Sequence, residues 1–370
     1  VEPREVRSGP VKDVVRTGAE VNMADLPVPT VFELDSGAFI TAAVGISRNP
    51  RTSKLNVGVY RTLILGRNIV AVNASSLSDL RKFYQHAEKT GEPMPIALAL
   101  GVEPALQMAA SCKLPPDESE LELAGALQGK AIDLVKCETS DIRVPAHAEM
   151  IIEGEVPLDE GLDEGPYGEM YGYLGPMKPN NFFMNIQCIT HRQQPWIVNS
   201  FTGLTCDMPR SPQIAANFFM YRKLIPNLTG LYSPRGANGV IVISIDKKLP
   251  GEGMAAGQYL AANIGLNKVV IVVDKDINIL EPSQILHALG ARWQPSASLM
   301  IPQTQMMMPD PSRTHWALSS KMIIDATRQL EAEGGPKSWA PLNRDLLVKG
   351  APECFPLVDA KWDDYLKNWP

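Results

Sequence analysis

Cysteine is scarce in this chain of 370 residues. The five present (Cys112, Cys137, Cys188, Cys206 and Cys354) are odd in number and widely spaced, which excludes a disulfide framework and a paired-cysteine zinc site. The five histidines, His86, His147, His191, His287 and His315, are equally scattered, and none stands in a metal-protease or triad spacing. Aromatic residues are only 6% of the chain, which leaves little with which to line a sugar-stacking cleft. No apolar run reaches the length of a membrane span, and the first residues, with Glu2, Arg4, Glu5 and Arg7, lack the apolar centre of a signal peptide. Lysine–arginine runs are missing too, and the net charge is −6, which argues against a nucleic-acid surface or a polybasic membrane patch. The expectation is a globular protein of the reducing cytoplasm, with two or so domains, no nucleic-acid partner and no membrane span.

What is present reads as two unlike halves. Residues 1–36 are rich in proline and charge and predict an extended lead-in with a short apolar segment at Val14–Val15. Strands are expected at Gly37–Ile46, Asn56–Leu65 and Asn68–Asn73, the last two forming a hairpin across Gly66-Arg67. Ser78 is placed as the N-cap of a helix whose stripe is Leu80, Phe83 and Tyr84 and whose end is Gly91. Further strands at Pro95–Gly101, Ile132–Cys137, Met150–Val156, Phe182–His191 and Trp196–Val198, with short helices at Pro104–Ala110 and Asp117–Leu127, make residues 37–200 strand-dominated. A small barrel or closed sheet is the natural expectation.

Composition shifts near Gly203–Pro212. Helix and strand then alternate through Gln213–Leu224, Gly239–Ile245, Met254–Ile264, Lys268–Val273 and Pro282–Ala288, which predicts an α/β layer with a parallel component. Residues 331–370 read as an irregular tail whose Trp339, Trp362 and Trp369 suit a partner subunit. The expected division is therefore 1–203, 204–330 and 331–370.

The stretch with the most chemistry is Glu164-Gly165-Pro166-Tyr167-Gly168-Glu169. Proline without an amide donor and glycine with its wide φ range oppose a helix. In a regular strand a spacing of five would send the two acids to opposite faces, whereas a tight turn can fold both toward one site. Two close carboxylates pull their proton affinities apart and leave a donor beside an anion. The plain alternative is a surface loop with solvated acids; another is the carboxylate pair of a hydrolase. A second stretch, Asn56-Val57-Gly58-Val59-Tyr60-Arg61, puts an amide, a glycine and an arginine on one expected strand. The guanidinium suits a carboxylate or phosphate, and Gly58 would let a flat ligand approach the backbone.

Taken together and in order, these pieces resemble the UbiD family of reversible decarboxylases. The resemblance rests on Asn56–Arg61, Pro95–Gly101, Glu120 ahead of Ala124-Gly125-Ala126-Leu127, and Val135-Lys136-Cys137-Glu138. It continues through Val144-Pro145-Ala146, Ala148-Glu149, Glu153-Gly154, Glu164–Glu169 and Val272-Val273-Asp274-Lys275-Asp276, and runs from about Val11 to Ile324. It implies a split β-barrel that binds prenylated FMN, followed by an α/β domain that assembles the protein into a homodimer or homohexamer. It also implies a small carboxylic acid as substrate and a flavin prenyltransferase as supplier of the cofactor. Members usually carry a further α/β region of roughly one hundred residues before the part matching Val11; the expectation is that it is not part of this sequence, either because a leader has been removed or because this is a short-form enzyme.

Residue by residue, Arg61, Glu164 and Glu169 match the family's catalytic set, with Glu169 as proton donor. Asn56 and Glu120 match ligands of a divalent metal, manganese or magnesium, with potassium as a further ion, and Asp79 falls where some members place a third ligand. Thr41, Gly58, Val59, Tyr60, Ser78 and Lys247, with Lys248 as its alternate, are the other expected cofactor contacts. Ser75, Ser78, Met170 and the stretch Met300–Met308 are expected to shape the substrate pocket. The competing implication is a cofactor-binding, non-catalytic subunit of a multi-component carboxylase, against which the intact Arg61, Glu164 and Glu169 set argues.

Overall fold

The structure is a computed structural model of the chain. It describes all residues except 76–77, 113, 115–117, 159, 205–210, 235, 264–266, 306–309, 315–317 and 368–370.

In chain order the first half carries β1 (Arg4–Glu5), β2 (Val14–Thr17), β3 (Phe39–Ile40), β4 (Val44–Arg48), β5 (Leu55–Val59), β6 (Thr62–Ile64), β7 (Ile69–Val72), α1 (Asp79–Thr90) and β8 (Met94–Leu100). There follow α2 (Pro104–Ala109), α3 (Glu120–Gln128), β9 (Asp133–Lys136), β10 (Arg143–Pro145), β11 (Met150–Val156), β12 (Leu162–Glu164), β13 (Tyr167–Gly168), β14 (Leu174–Gly175), β15 (Lys178–Asn181) and β16 (Phe183–His191). The second half carries α4 (Ser211–Arg222), β17 (Leu228–Tyr232), β18 (Val240–Ile245), α5 (Glu252–Asn263), β19 (Val269–Asp274), α6 (Pro282–Ala291), β20 (Ser298–Gln305) and β21 (Leu318–Asp325). Three short helices close the chain, α7 (Asn343–Gly350), α8 (Cys354–Ala360) and α9 (Trp362–Lys367).

The large sheet of the first half runs β3-β6-β7-β16-β11-β8-β4-β5, with β2 added to β16. Its connectivity explains its shape. β3 and β4 are three residues apart in sequence yet stand near opposite ends of that path, and so do β5 and β6, which are separated only by Tyr60 and Arg61. Such short links can be made only if the sheet curls until its ends approach, which produces the split barrel. The Tyr60 N–H donates to the Ala43 carbonyl at 3.0 Å where the two links cross. The expected single strands Gly37–Ile46 and Asn56–Leu65 are each broken in two at this split, and Arg61 lies just beyond the end of β5 instead of on it.

Alternation sorts the sheet's two faces. Met94, Ile96, Leu98 and Leu100 of β8 join Met150 and Ile152 of β11 in the core that also takes Leu80 and Tyr84 of α1. Ala97 and Ala99 of β8 and Ile151 of β11 point the other way, against Leu106 of α2 and Leu121 and Ala124 of α3. Small side chains on that face let the helices sit close. Ser78 caps α1 as expected, its Oγ accepting the Arg81 N–H at 3.2 Å, and Gly91 closes the helix at φ +71°.

The second sheet runs β17-β18-β19-β21-β20, with β18, β19 and β21 parallel and antiparallel edges. Helices α4 and α5 pack on one face through Tyr221, Ala256 and Leu260, and α6 packs on the other through Ile285 and Ala288.

Two readings are corrected. Trp196–Val198 forms no strand; the Trp196 N–H is satisfied by Glu149 Oε2 at 3.0 Å instead of by a ladder. The tail from residue 331 is largely helical, because its stretches between prolines hold helix-forming residues, although α7 to α9 bury no side chain. No helix among the described residues is long and apolar enough to cross a membrane.

Candidate active site

Arg61 stands in the link between β5 and β6 at the split, with its side chain only 8% exposed. Its Nε donates to Glu164 Oε1 at 2.8 Å and Nη2 to Glu164 Oε2 at 2.9 Å, and Nη1 donates to Glu169 Oε1. The two acids thus converge on one guanidinium, as a turn allows and a regular strand does not. Glu164 is fully buried and Glu169 nearly so, at 9% exposure. Burial acts to lower the Arg61 guanidinium, but the Glu164 hydrogen bonds and the Glu169 charge overcome it and raise it above its ordinary value.

The turn is held from several sides. Gly165 takes φ +90°, a region that favours glycine. The Tyr167 ring lies 4.4 Å below the guanidinium and against Phe39, and its hydroxyl meets Thr202 Oγ1 at 2.6 Å. Asp35 accepts the Gly168 N–H at 2.8 Å and the Phe32 N–H at 3.1 Å, so the loop of Phe32 and Asp35 clamps the turn. The Glu169 side chain crosses Gly175, where a Cβ would come within 2.6 Å of its Cγ. The second half reaches this region as well: Asn238 Nδ2 donates to the Met170 carbonyl.

Lys178 completes the charge set. It stands opposite Glu164 in the β12–β15 register without bonding it, and Nζ donates to Asn73 Oδ1 at 2.8 Å. Burial pushes its ammonium down to about 8, with Arg61 and Arg313 adding to the shift and Glu164 and Glu169 opposing it.

A second group gathers at the other end of β5. Tyr60 turns its hydroxyl to the Asn56 side chain and the Leu80 backbone; burial raises the phenol, and the charges of Asp79 and Glu120 add to that. Glu120 Oε2 accepts the Val57 N–H at 3.3 Å, and burial pushes this carboxyl up to about 7, with Asp79 adding. Asn56 and Glu120 thus both lie near Tyr60, and both are oxygen donors of the kind a hard cation would take. Asp79 is exposed and paired with Lys82 at 2.7 Å, so its carboxylate acts on the group as a nearby charge. No cluster of three His, Cys, Asp or Glu exists among the described residues.

Several expected contacts fall elsewhere. Gly58 does not open space for a flat ligand: it faces Gly45 across β4–β5, and the Tyr60 ring covers both, so a Cβ on Gly58 would lie 2.7 Å from the Tyr60 hydroxyl. Val59 packs into the core beneath α2 and α3. Thr41 crosses the split with its hydroxyl 2.6 Å from Asn199 Oδ1 and accepts the Ser200 N–H at 2.7 Å. The Ser78 hydroxyl is committed to its cap and to the Ser75 carbonyl at 2.8 Å. Lys247 is buried in the second half, and its ammonium is taken up by Glu333 at 2.7 Å, Thr327 at 3.0 Å and the Arg328 carbonyl at 3.3 Å. Lys248 is exposed beside Asp246. Met300 is exposed on β20, while Met306, Met307 and Met308 lie outside the described residues. Clefts of 270 and 300 Å³ open elsewhere, one beside His191 and Ile197 and the other beside Arg81 and Asn180.

Family models match nearly the whole of this architecture. Residues 4–205 match the 3-octaprenyl-4-hydroxybenzoate carboxy-lyase Rift-related domain, and residues 210–326 match the C-terminal domain of the same carboxy-lyase. The chain belongs to the UbiD family. Among its relatives, the uncharacterized protein sll0936 of Synechocystis is 31% identical over 365 residues, covering 96% of this chain and 72% of that protein. The UbiD-class enzyme HmfF of Pelotomaculum thermopropionicum, in complex with FMN, superposes with a TM-score of 0.80 at 31% identity, covering 93% of this chain and 78% of that one. An evolved dimeric form of HmfF in complex with prFMN gives 0.76 at the same identity and coverage. The vanillic acid decarboxylase of Sedimentibacter hydroxybenzoicus in its closed form gives 0.85 at 27% identity, covering all of this chain and 79% of that one. The fold of this UbiD-family chain is thus the α+β arrangement of a curled sheet followed by an α/β layer.

Asp35 and Lys178 were not legible as site residues. Asp35 lies in a loop more than a hundred residues from the turn it holds, and Lys178 is a single lysine in a proline-rich stretch. Only the register Glu164↔Lys178 exposes the latter.

Proposed function

We propose that this protein is a reversible, non-oxidative decarboxylase of an aromatic, heteroaromatic or α,β-unsaturated carboxylic acid, working with prenylated FMN and a divalent metal. One observation carries the reading: Arg61 binds Glu164 and Glu169 at once, although they are 103 and 108 residues away in sequence. When bound, the modified flavin supplies the electron sink for the departing CO2. Asn56 and Glu120 would hold a divalent metal, manganese or magnesium, that would supply positive charge for retaining the cofactor, and Thr41 and Tyr60 lie at the same split. Residues 1–203 carry the cofactor, 204–330 carry subunit assembly, and the tail from 331 packs on a partner copy.

The protein's own step is a proton delivery. The bond from substrate carbon to carboxylate breaks, CO2 leaves, and Glu169 gives its proton to that carbon; water then returns a proton to Glu169. Glu164 accepts hydrogen bonds from Arg61 on both oxygens, so it serves as the anchor of the guanidinium. Glu169 is held through Oε1, which leaves Oε2 to face a substrate.

The test is to produce the protein alongside a flavin prenyltransferase and to record the visible spectrum and the mass of the bound flavin. The expected result is a prenylated FMN whose occupancy falls when Asn56→Ala and Glu120→Ala are combined. Unchanged occupancy in that double variant sinks the metal site.

A further inference from the structure

This inference rests on the decarboxylase reading and concerns Lys178. Glu164 and Lys178 are direct partners across β12 and β15, so their side chains leave the same face of that hairpin. A lysine opposite a glutamate would ordinarily bond it. Here the Arg61 fork occupies both Glu164 oxygens and holds Glu169 as well. The ammonium instead donates to Asn73 Oδ1 at 2.8 Å, its partner among the described residues, and the Asn73 N–H donates to the Arg61 carbonyl at 3.0 Å. An ammonium has three donors. Lys178 is thus tied beside the Arg61 backbone with donors to spare and with no carboxylate of the protein bound to it.

The charge count gives this a purpose. Arg61 and Lys178 against Glu164 and Glu169 sum to zero when all four are ionised. When Glu169 holds the proton it is to deliver, the group carries one net positive charge, which matches one incoming carboxylate. Without Lys178 those groups sum to zero in the same state, and an entering anion has only Arg313, from the second half, to offset its charge. We propose that Lys178 is the specificity-determining residue that admits a carboxylate to the Arg61–Glu164–Glu169 site. The charged groups that face it are Arg61 from the β5–β6 link, Glu164 from β12, Glu169 after β13, and Arg313 from the second half. Burial, the first cause, brings its ammonium down to about 8, so the charge that receives the anion is lost just above neutral pH.

The experiment uses the full chain, benzoate as the probe and calorimetry as the readout, with Lys178→Met and Lys178→Arg beside the wild type. Binding should weaken about tenfold in Lys178→Met and return in Lys178→Arg, a loss of the order of one desolvated ion contact. Wild-type affinity should fall as pH rises through about 8, whereas Lys178→Arg should hold its affinity there, because arginine keeps its charge. The ¹³Cε resonance of Lys178 in selectively labelled protein, assigned by its absence in Lys178→Arg, should titrate near the same pH and move on adding benzoate. Equal affinity in all three proteins overturns the proposal, as does a fall-off at pH 8 that persists in Lys178→Arg, or no benzoate binding by the wild type. None of these readings depends on turnover, so a wild type that binds benzoate through Lys178 but releases no CO2 from any acid would sink the decarboxylase reading alone.

Discussion

Two arginine forks in this molecule look alike and differ in one respect. Arg292 in the second half binds Asp274 at 2.7 Å and Asp276 at 2.8 and 2.9 Å, much as Arg61 binds Glu164 and Glu169. In the Arg292 cluster a second cation, Arg328, closes on Asp276 at 2.7 Å, and the Arg328 N–H donates to Asp274. Every side-chain charge there has met its opposite within the protein, which is what an ion cluster that ties β19 to α6 and to the segment after β21 needs. In the Arg61 cluster the second cation, Lys178, touches neither carboxylate. The same chemistry is structural where it is fully paired within the protein and available for a ligand where one cation is held back.

The comparison can be broken by substitution. The largest effect is expected from Glu169→Gln, which should cut CO2 release by ~10³-fold while flavin stays bound, whereas Asp276→Asn should leave turnover within about twofold. Next comes Arg61→Lys, which keeps the charge and loses the fork; turnover should drop by ~10²-fold in the same assay. Arg292→Met should lower unfolding stability by about 3 kcal/mol in a denaturant melt, because two aspartates lose their main cation, with turnover of the folded fraction kept.

The smallest effect tests Lys178 through pH. Its ammonium is depressed from 10.5 to about 8 in the fold. Below pH 8 the folded state therefore keeps a proton it holds less well than the unfolded chain does, so the buried ammonium costs stability. Between about 8 and 10.5 the unfolded chain binds more protons than the folded one, and the group's contribution improves as pH rises. Lys178→Met should accordingly melt higher than wild type at pH 7, with the gain fading as the pH is raised toward 10. A gain that stays constant with pH would contradict the buried ammonium.

The legible parts of this protein were those written locally or in carboxylate–arginine chemistry. Ser78 and Gly91 mark a helix by capping rules that act within one turn, and both ends fall where those rules put them. Glu164–Glu169 was legible because its glycines and proline exclude a helix and one continuous strand: Gly165-Pro166 breaks the run between β12 and β13, and the two acids come to face one guanidinium. The resemblance implied a split barrel, but where the strands break was not legible, because the breaks at Thr41 and at Tyr60-Arg61 follow from strand order and not from residue type. Gly58 misled for a related reason: a bare glycine marks a close approach, and the approaching group is the Tyr60 ring two residues on. Lys247 reads as a phosphate contact until its three acceptors are seen.

The most direct measurement is CO2 release in deuterated water from a panel of aromatic, heteroaromatic and acrylic acids, by wild type and Glu169→Gln loaded equally with prenylated FMN. The account predicts that at least one acid loses CO2 and gains deuterium at the vacated carbon with wild type, and that Glu169→Gln releases it ~10³-fold more slowly. Equal release by Glu169→Gln, or no release from any acid by the loaded wild type, would contradict it.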